Sequence, residues 1–134
     1  MQEKVLKFLK ENPGQYLATI GEDNRPKIRP FQFMLEKDNK LYFCTSNEKR
    51  VFSDLEKNPY AELCVMNNKM EWIRIAGGVK FSKDREIKKE IIENNPLVKG
   101  IYRDCDNPVF EVFFIENSRI SISCINEVIF EEQL

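Results

Sequence analysis

Two stretches of this chain gather side chains suited to holding an anion. In Leu41-Tyr42-Phe43-Cys44-Thr45-Ser46-Asn47-Glu48-Lys49-Arg50 an apolar strand pattern runs into two hydroxyl residues and then into the start of a helical pattern that carries two cations. Backbone N–H groups in a first helical turn lack partners within the helix, and the helix dipole adds partial positive charge at the same place. A phosphate group can use both. Thr45 and Ser46 offer hydroxyl donors, while Lys49 and Arg50 offer charge, the planar Arg50 fork matching phosphate oxygens. The same residues also fit a local role, with Thr45 and Glu48 as a capping box and both cations solvated. The second stretch, Arg25-Pro26-Lys27-Ile28-Arg29-Pro30-Phe31-Gln32-Phe33, alternates so that Lys27 and Arg29 share one strand face. That face is either wet or turned toward the same anion.

Composition narrows the chemistry further. The chain has no histidine, which removes the commonest metal ligand, the usual general base and every Ser-His or Cys-His nucleophile pair, so no metal site is expected. A formal net charge of -1 with scattered cations gives no field to gather nucleic acid or an anionic membrane. Any bound anion must be gripped locally. Cys44, Cys64, Cys105 and Cys124 lie far apart with no C-x-x-C pair, the pattern of reduced thiols in a cytoplasmic protein. No apolar run approaches the roughly 18 residues that cross a bilayer, and the start of the chain mixes Lys and Glu with apolar residues, so neither a span nor a signal peptide is expected.

The elements that must position these residues follow from periodicity. Val5, Phe8 and Leu9 mark a short helix over Gln2 to Asn12, ended by Pro13-Gly14. Strands are expected at Gln15 to Ile20, Pro26 to Glu36 and Lys40 to Thr45, read as a meander that sets Arg29 next to the strand ending at Thr45. A helix over Glu48 to Lys57 stops at Asn58-Pro59, and strands resume at Tyr60 to Met66 and Glu71 to Phe81, where Gly77-Gly78 suggests a bulge or a close neighbour. Asp84 caps a helix to Asn94, and a short segment around Leu97 to Tyr102 follows. Val109 to Ile115 and Arg119 to Ile125 are expected to form a hairpin across Glu116-Asn117-Ser118, with a further short strand at Val128 to Phe130. At 134 residues without a linker or repeat the chain reads as a single domain over residues 1–134. Short antiparallel strands with interrupting helices predict a β-rich α+β barrel.

The order Arg29-Pro30-Phe31-Gln32-Phe33, then Leu41 to Thr45, then Arg50 before Asn58-Pro59, then Trp72-Ile73-Arg74-Ile75-Ala76-Gly77, resembles the pyridoxamine 5′-phosphate oxidase-like family of flavin-binding split barrels. The resemblance covers about Gln15 to Ser82. It implies a six-stranded antiparallel split β-barrel with short flanking helices, a homodimer, and one flavin mononucleotide (FMN) in each groove between subunits. On the matching positions Arg29, Thr45 and Arg50, with Ser46 and Lys49 beside them, would hold the flavin phosphate. Phe31, Gln32 and Phe33 would lie against the ring system, and Trp72 would reach it from the other subunit. Val51 stands where many relatives carry a lysine, which leaves Lys49 to substitute from the other side. A lone tryptophan alternating with Ile73 on a strand is more often a core or dimer contact than a cofactor residue, so Trp72 carries that reading as well.

The expected function is that of an FMN-dependent oxidoreductase acting on a small redox substrate, since a flavin supplies the redox chemistry and the protein need only bind and tune it. The rivals are a flavin- or haem-binding store or sensor and a nitroimidazole-reductase-like flavoprotein, although relatives of the latter type tend to carry histidine where this chain has Cys44. An oligonucleotide-binding barrel is disfavoured by the near-zero charge. Pyridoxamine 5′-phosphate oxidation itself is not expected. Met34 fills the position where the oxidases bring a lysine, and Asn126 to Leu134 carry no Arg, Lys or His.

Overall fold

In the computed structural model, which describes residues 1–134, the elements run α1 (Glu3–Glu11), β1 (Tyr16–Ile20), β2 (Pro26–Pro30), β3 (Leu35–Lys37), β4 (Lys40–Ser46), α2 (Arg50–Lys57), β5 (Tyr60–Met66), β6 (Trp72–Ser82), α3 (Arg85–Asn94), α4 (Pro96–Tyr102), β7 (Phe110–Ser123) and β8 (Val128–Gln133). All strand pairs are antiparallel, in the order β2-β1-β5-β6-β7-β4-β3, with β8 added to β7. The two ends of that path, β2 and β3, are halves of one extended run joined by Phe31–Met34, so six strands close a barrel that is split where the run breaks.

The expected strand over Pro26 to Glu36 is therefore interrupted, and the expected meander is corrected: β2 pairs with β1, and only β3 pairs with β4. A single strand cannot lie along both neighbours of a splitting barrel, so it leaves one and joins the other. The Phe31 N–H still donates to the Gln15 carbonyl at 2.9 Å, and the Met34 N–H already donates to the Tyr42 carbonyl at 3.0 Å. The buried Gln15 side chain fastens the gap. Its Nε2 donates to the Leu9 and Asn12 carbonyls at the end of α1, and its Oε1 accepts from the Phe33 N–H at 2.8 Å.

The expected hairpin at Glu116-Asn117-Ser118 is also corrected. β7 is one continuous strand of 14 residues, and Asn117, at φ 49°, belongs to a bulge rather than a reversal. The extra residue switches parity: Phe113 and Ile115 face the barrel interior before it, Ile120 and Ile122 after it. Gly77 sits opposite, where a Cβ would come within 2.6 Å of the Glu116 carbonyl oxygen and 2.8 Å of Ile115 Cγ2. Only glycine allows that approach.

Two apolar clusters hold the molecule together. The larger fills the barrel with Leu17, Phe43, Leu63, Ile75 and Phe113, closed by Val5 and Leu9 of α1 and Val51 and Leu55 of α2. The smaller lies between the outer face of β4 and β7 and the helices α3 and α4, through Tyr42, Ile87, Ile91, Tyr102 and Phe110. The outer face of β2, β1 and β5 is covered by nothing, and Ile28 (71% exposed), Met66 (52%), Tyr60 (51%) and Tyr16 (50%) lie open there. No helix is long and apolar enough to cross a membrane.

Candidate functional site

A cleft of about 700 Å³ opens between β2, the turn before it and α2. Lys27, Arg29 and Arg50 line it together with Glu22, Asp23 and Asp54, so three cations meet three carboxylates. Alternation explains the cations. Arg29 and Lys27 pair with Leu17 and Thr19, whose side chains turn inward, and therefore project over the barrel mouth while Ile28 points out.

The two arginines differ in how far they are already used. Arg29 Nη1 donates to Thr19 Oγ1 at 2.8 Å and to the Leu17 carbonyl at 3.3 Å, and Nη2 lies 3.5 Å from Asp54 Oδ2. Burial lowers the Arg29 pKa and the Asp54 charge opposes that shift. A guanidinium stays protonated regardless. Asp54, 5% exposed, also accepts from Thr19 Oγ1 at 3.5 Å. Arg29 thus laces β2 to β1 and α2. Arg50, the first residue of α2, is exposed, and its guanidinium makes no hydrogen bond or ion pair within the chain. Lys27 is held by Asp23 at 3.0 Å on the surface.

The structure brings Arg29 and Arg50 to one place and distributes the other expected residues around it. Thr45 is on the inner face of β4 with Leu41 and Phe43, 2% exposed, and its Oγ1 has no partner. Ser46 faces the opposite way, and its Oγ accepts from the Glu48 N–H at 3.1 Å. The capping box between Thr45 and Glu48 is absent because the helix begins at Arg50, with Lys49 as a cap that offers no side-chain bond. Lys49 does not line the cleft. Its charge acts instead on Cys44, on the outer face of β4, where burial pushes the thiol up to about 12 against the pull of that lysine. Cys44 is consequently no thiolate at neutral pH.

The rings of Phe31 and Phe33 belong to the barrel core. Phe31 packs on Phe43 and Phe113 with ring centroids 6.1 and 5.7 Å away, and Phe33 is buried. Gln32 between them is exposed, with an N–H that makes no hydrogen bond. Trp72 opens β6 opposite Met66 and Ser123, half-buried and three strands from β2, and is not part of the cleft within one chain. Asp54, Thr19 and Gln15 are polar residues that sequence reading passed over. Asp54 carried a signal, since it falls on the helical face of Val51 and Leu55 and so had to be buried with a partner.

A phosphate group fits the donors that reach the cleft, an unengaged Arg50, the remaining N–H groups of Arg29 and an uncapped helix start, while the unpaired Thr45 hydroxyl is buried outside the cleft lining. A barrel split at the strand that carries Arg29, with α2 beside the cleft at its mouth, places the chain in the class of split β-barrels. A sequence model described as pyridoxamine 5′-phosphate oxidase matches residues 1–122, and the chain belongs to that family. A pyridoxine/pyridoxamine 5′-phosphate oxidase of Psychrobacter cryohalolentis is 31% identical over 87 residues, a stretch covering 63% of this chain but 40% of that enzyme's length. Among solved structures, a NimC/NimA family protein from Clostridium acetobutylicum superposes with TM-score 0.85 and 33% identity, covering 98% of this chain and 90% of that one. A pyridoxamine 5′-phosphate oxidase-related, FMN-binding protein from Nostoc punctiforme shares the fold at TM-score 0.62 and 18% identity, over 90% and 86% of the two chains.

Proposed function

We propose that this chain is a cytoplasmic homodimeric flavoprotein that holds FMN by its phosphate in the cleft between β2 and α2 and acts as an oxidoreductase on a small molecule. The observation that carries the reading is the pairing of Arg29 with an unengaged Arg50 in one cleft. Arg50 and Arg29 hold the phosphate, with the start of α2 as a further donor and Thr45, Ser46 and Lys49 at the margin. Gln32, between Phe31 and Phe33, lies toward the ring system. Bound there, the flavin supplies one- and two-electron transfer.

The uncovered apolar face of Ile28, Tyr16, Tyr60 and Met66 supports a second chain as its cover, since monomers rarely leave a contiguous patch of this kind in water. That chain also brings its own Trp72 to the groove. Oxidation of pyridoxamine 5′-phosphate is not the proposed reaction, because a second phosphate needs its own cations. Met34 offers none and packs against the α3 and α4 cluster.

The absorption spectrum of the purified protein tests the reading. Flavin bands with one FMN per chain, and a scattering mass twice that of the monomer, are expected. A Soret band would turn the reading to haem, and failure to take up added FMN would overturn it. Flavin-loaded protein given pyridoxamine 5′-phosphate under air should form pyridoxal phosphate no faster than free flavin does.

A further inference from the structure

We propose that Asp54 is a built-in counter-ion that lowers the affinity of the cleft for phosphate, so that FMN is held more weakly than the two arginines alone would hold it. The proposal rests on the flavin reading above. A carboxylate with 5% of its surface exposed, on the helix face it shares with Val51 and Leu55, is costly to desolvate and has only loose compensation. Its two polar contacts, to Arg29 Nη2 and to the Thr19 hydroxyl, are both 3.5 Å long. Arg29 does not need it for orientation, because Thr19 Oγ1 at 2.8 Å and the Leu17 carbonyl at 3.3 Å already hold Nη1. Of the five guanidinium donors, those on Nε and Nη2 are left for a ligand, and Asp54 stands over Nη2.

An arriving phosphate dianion must share that nitrogen with a like charge in a partly water-excluded site, where repulsion is felt strongly. Arg50 has no such competitor. The cleft consequently presents one fully available arginine and one half-neutralised one, with Glu22 and Asp23 completing the charge balance at its rim.

Titration of flavin fluorescence with wild-type protein, Asp54→Asn and Asp54→Ser tests this, with riboflavin as the ligand lacking phosphate and thermal melting to check the fold. The expected result is at least a tenfold fall in the Kd for FMN in both variants, with the Kd for riboflavin within twofold of wild type. FMN binding by the wild type with unchanged or weaker binding in the variants would overturn the role of Asp54 and leave the flavin reading standing. No FMN binding by any of the three proteins would sink the flavin reading and this inference with it. Loss of folding in both variants would overturn the inference by making Asp54 a structural anchor.

Discussion

On the inner face of β4, Leu41, Phe43 and Thr45 look into the barrel beneath α2, and the cleft opens beside that helix with Arg29 and Arg50 on its walls. On the outer face, Tyr42 is buried under α3 and α4 with Tyr102, Val112 and Phe110, and the partly buried Cys44 packs against them. Residues one position apart in sequence thus enter different environments. One side leaves a free guanidinium open to solvent and an unpaired hydroxyl buried in the barrel; the other holds a partly buried thiol among aliphatic and aromatic neighbours. The hydroxyl and cation run from Thr45 to Arg50 is therefore not a single site. Strand parity divides it, and only the members that turn toward α2 can share a ligand with Arg29.

The largest effect that sharpens this contrast comes from Arg29→Ala. It leaves Thr19 Oγ1, the Leu17 carbonyl and the buried Asp54 carboxylate without their donor, and a loss of about 3 kcal/mol in stability is expected from urea unfolding. FMN affinity falls as well. Stability unchanged by this substitution would mean that Asp54 finds water and that the lacing of β2 to α2 is immaterial. Next is Arg50→Ala, whose guanidinium supports nothing inside the chain. FMN binding should weaken by about 1.5–3 kcal/mol, the range for a hydrogen bond to a charged group, while the unfolding midpoint stays in place and riboflavin affinity barely changes. Equal losses for both ligands would remove Arg50 from the phosphate.

Much of this division was legible in the sequence, and what was not has physical causes. The helices α1, α2 and α3 and the strands β1, β4, β5 and β6 follow from periodicity, while α4 reads in the sequence only as a short segment of no stated type, and Gly77-Gly78 signalled the close approach that the bulge requires. Glu116-Asn117-Ser118 misled because a polar triplet with an asparagine able to adopt positive φ looks the same in a turn and in a bulge. Only the pairing of both halves of β7 with β6 separates the two cases, and that is a long-range fact. The break at Phe31–Met34 was hidden for a similar reason: alternation runs straight through it, and the glutamine that fastens it lies far back in the chain. At the site, the shared cleft of Arg29 and Arg50 was anticipated through a strand adjacency that does not exist. The cleft forms because α2 crosses the barrel mouth above β1, with which β2 pairs.

Alkaline pH probes the sealed side. The Cys44 thiol, pushed up to about 12 by burial, keeps its proton in the folded protein where the unfolded chain gives it up near the ordinary value of about 8.5. The unfolded state then binds fewer protons, so the contribution is fully present below that ordinary value and is lost as pH rises toward 12. Burial also raises Cys64, Tyr42 and Tyr102, so the whole molecule should lose stability in that range. Cys44→Ala is expected to flatten the decline by about 1 kcal/mol between pH 9 and pH 10, measured by urea unfolding at each pH. An unchanged slope would show that water reaches the outer face of β4.

The smallest expected effect, from Lys49→Ala, discriminates most sharply between the two sides. Lys49 precedes Arg50 in sequence, and a phosphate site read from composition alone would count both cations. Its side chain is exposed and absent from the cleft lining, and its charge favours the Cys44 thiolate. From there it reaches a phosphate in the cleft only through solvent, where interactions fade over roughly 8 Å at physiological ionic strength. Lys49→Ala should therefore weaken FMN by less than about 0.5 kcal/mol, and that small loss should vanish at high salt while the Arg50→Ala loss persists. The same substitution removes a charge that favours the Cys44 thiolate, so the reaction of that thiol with a disulfide reagent at alkaline pH should become slower still. A loss of FMN affinity as large as that of Arg50→Ala would place Lys49 in the cleft and erase the boundary that strand parity draws through this junction.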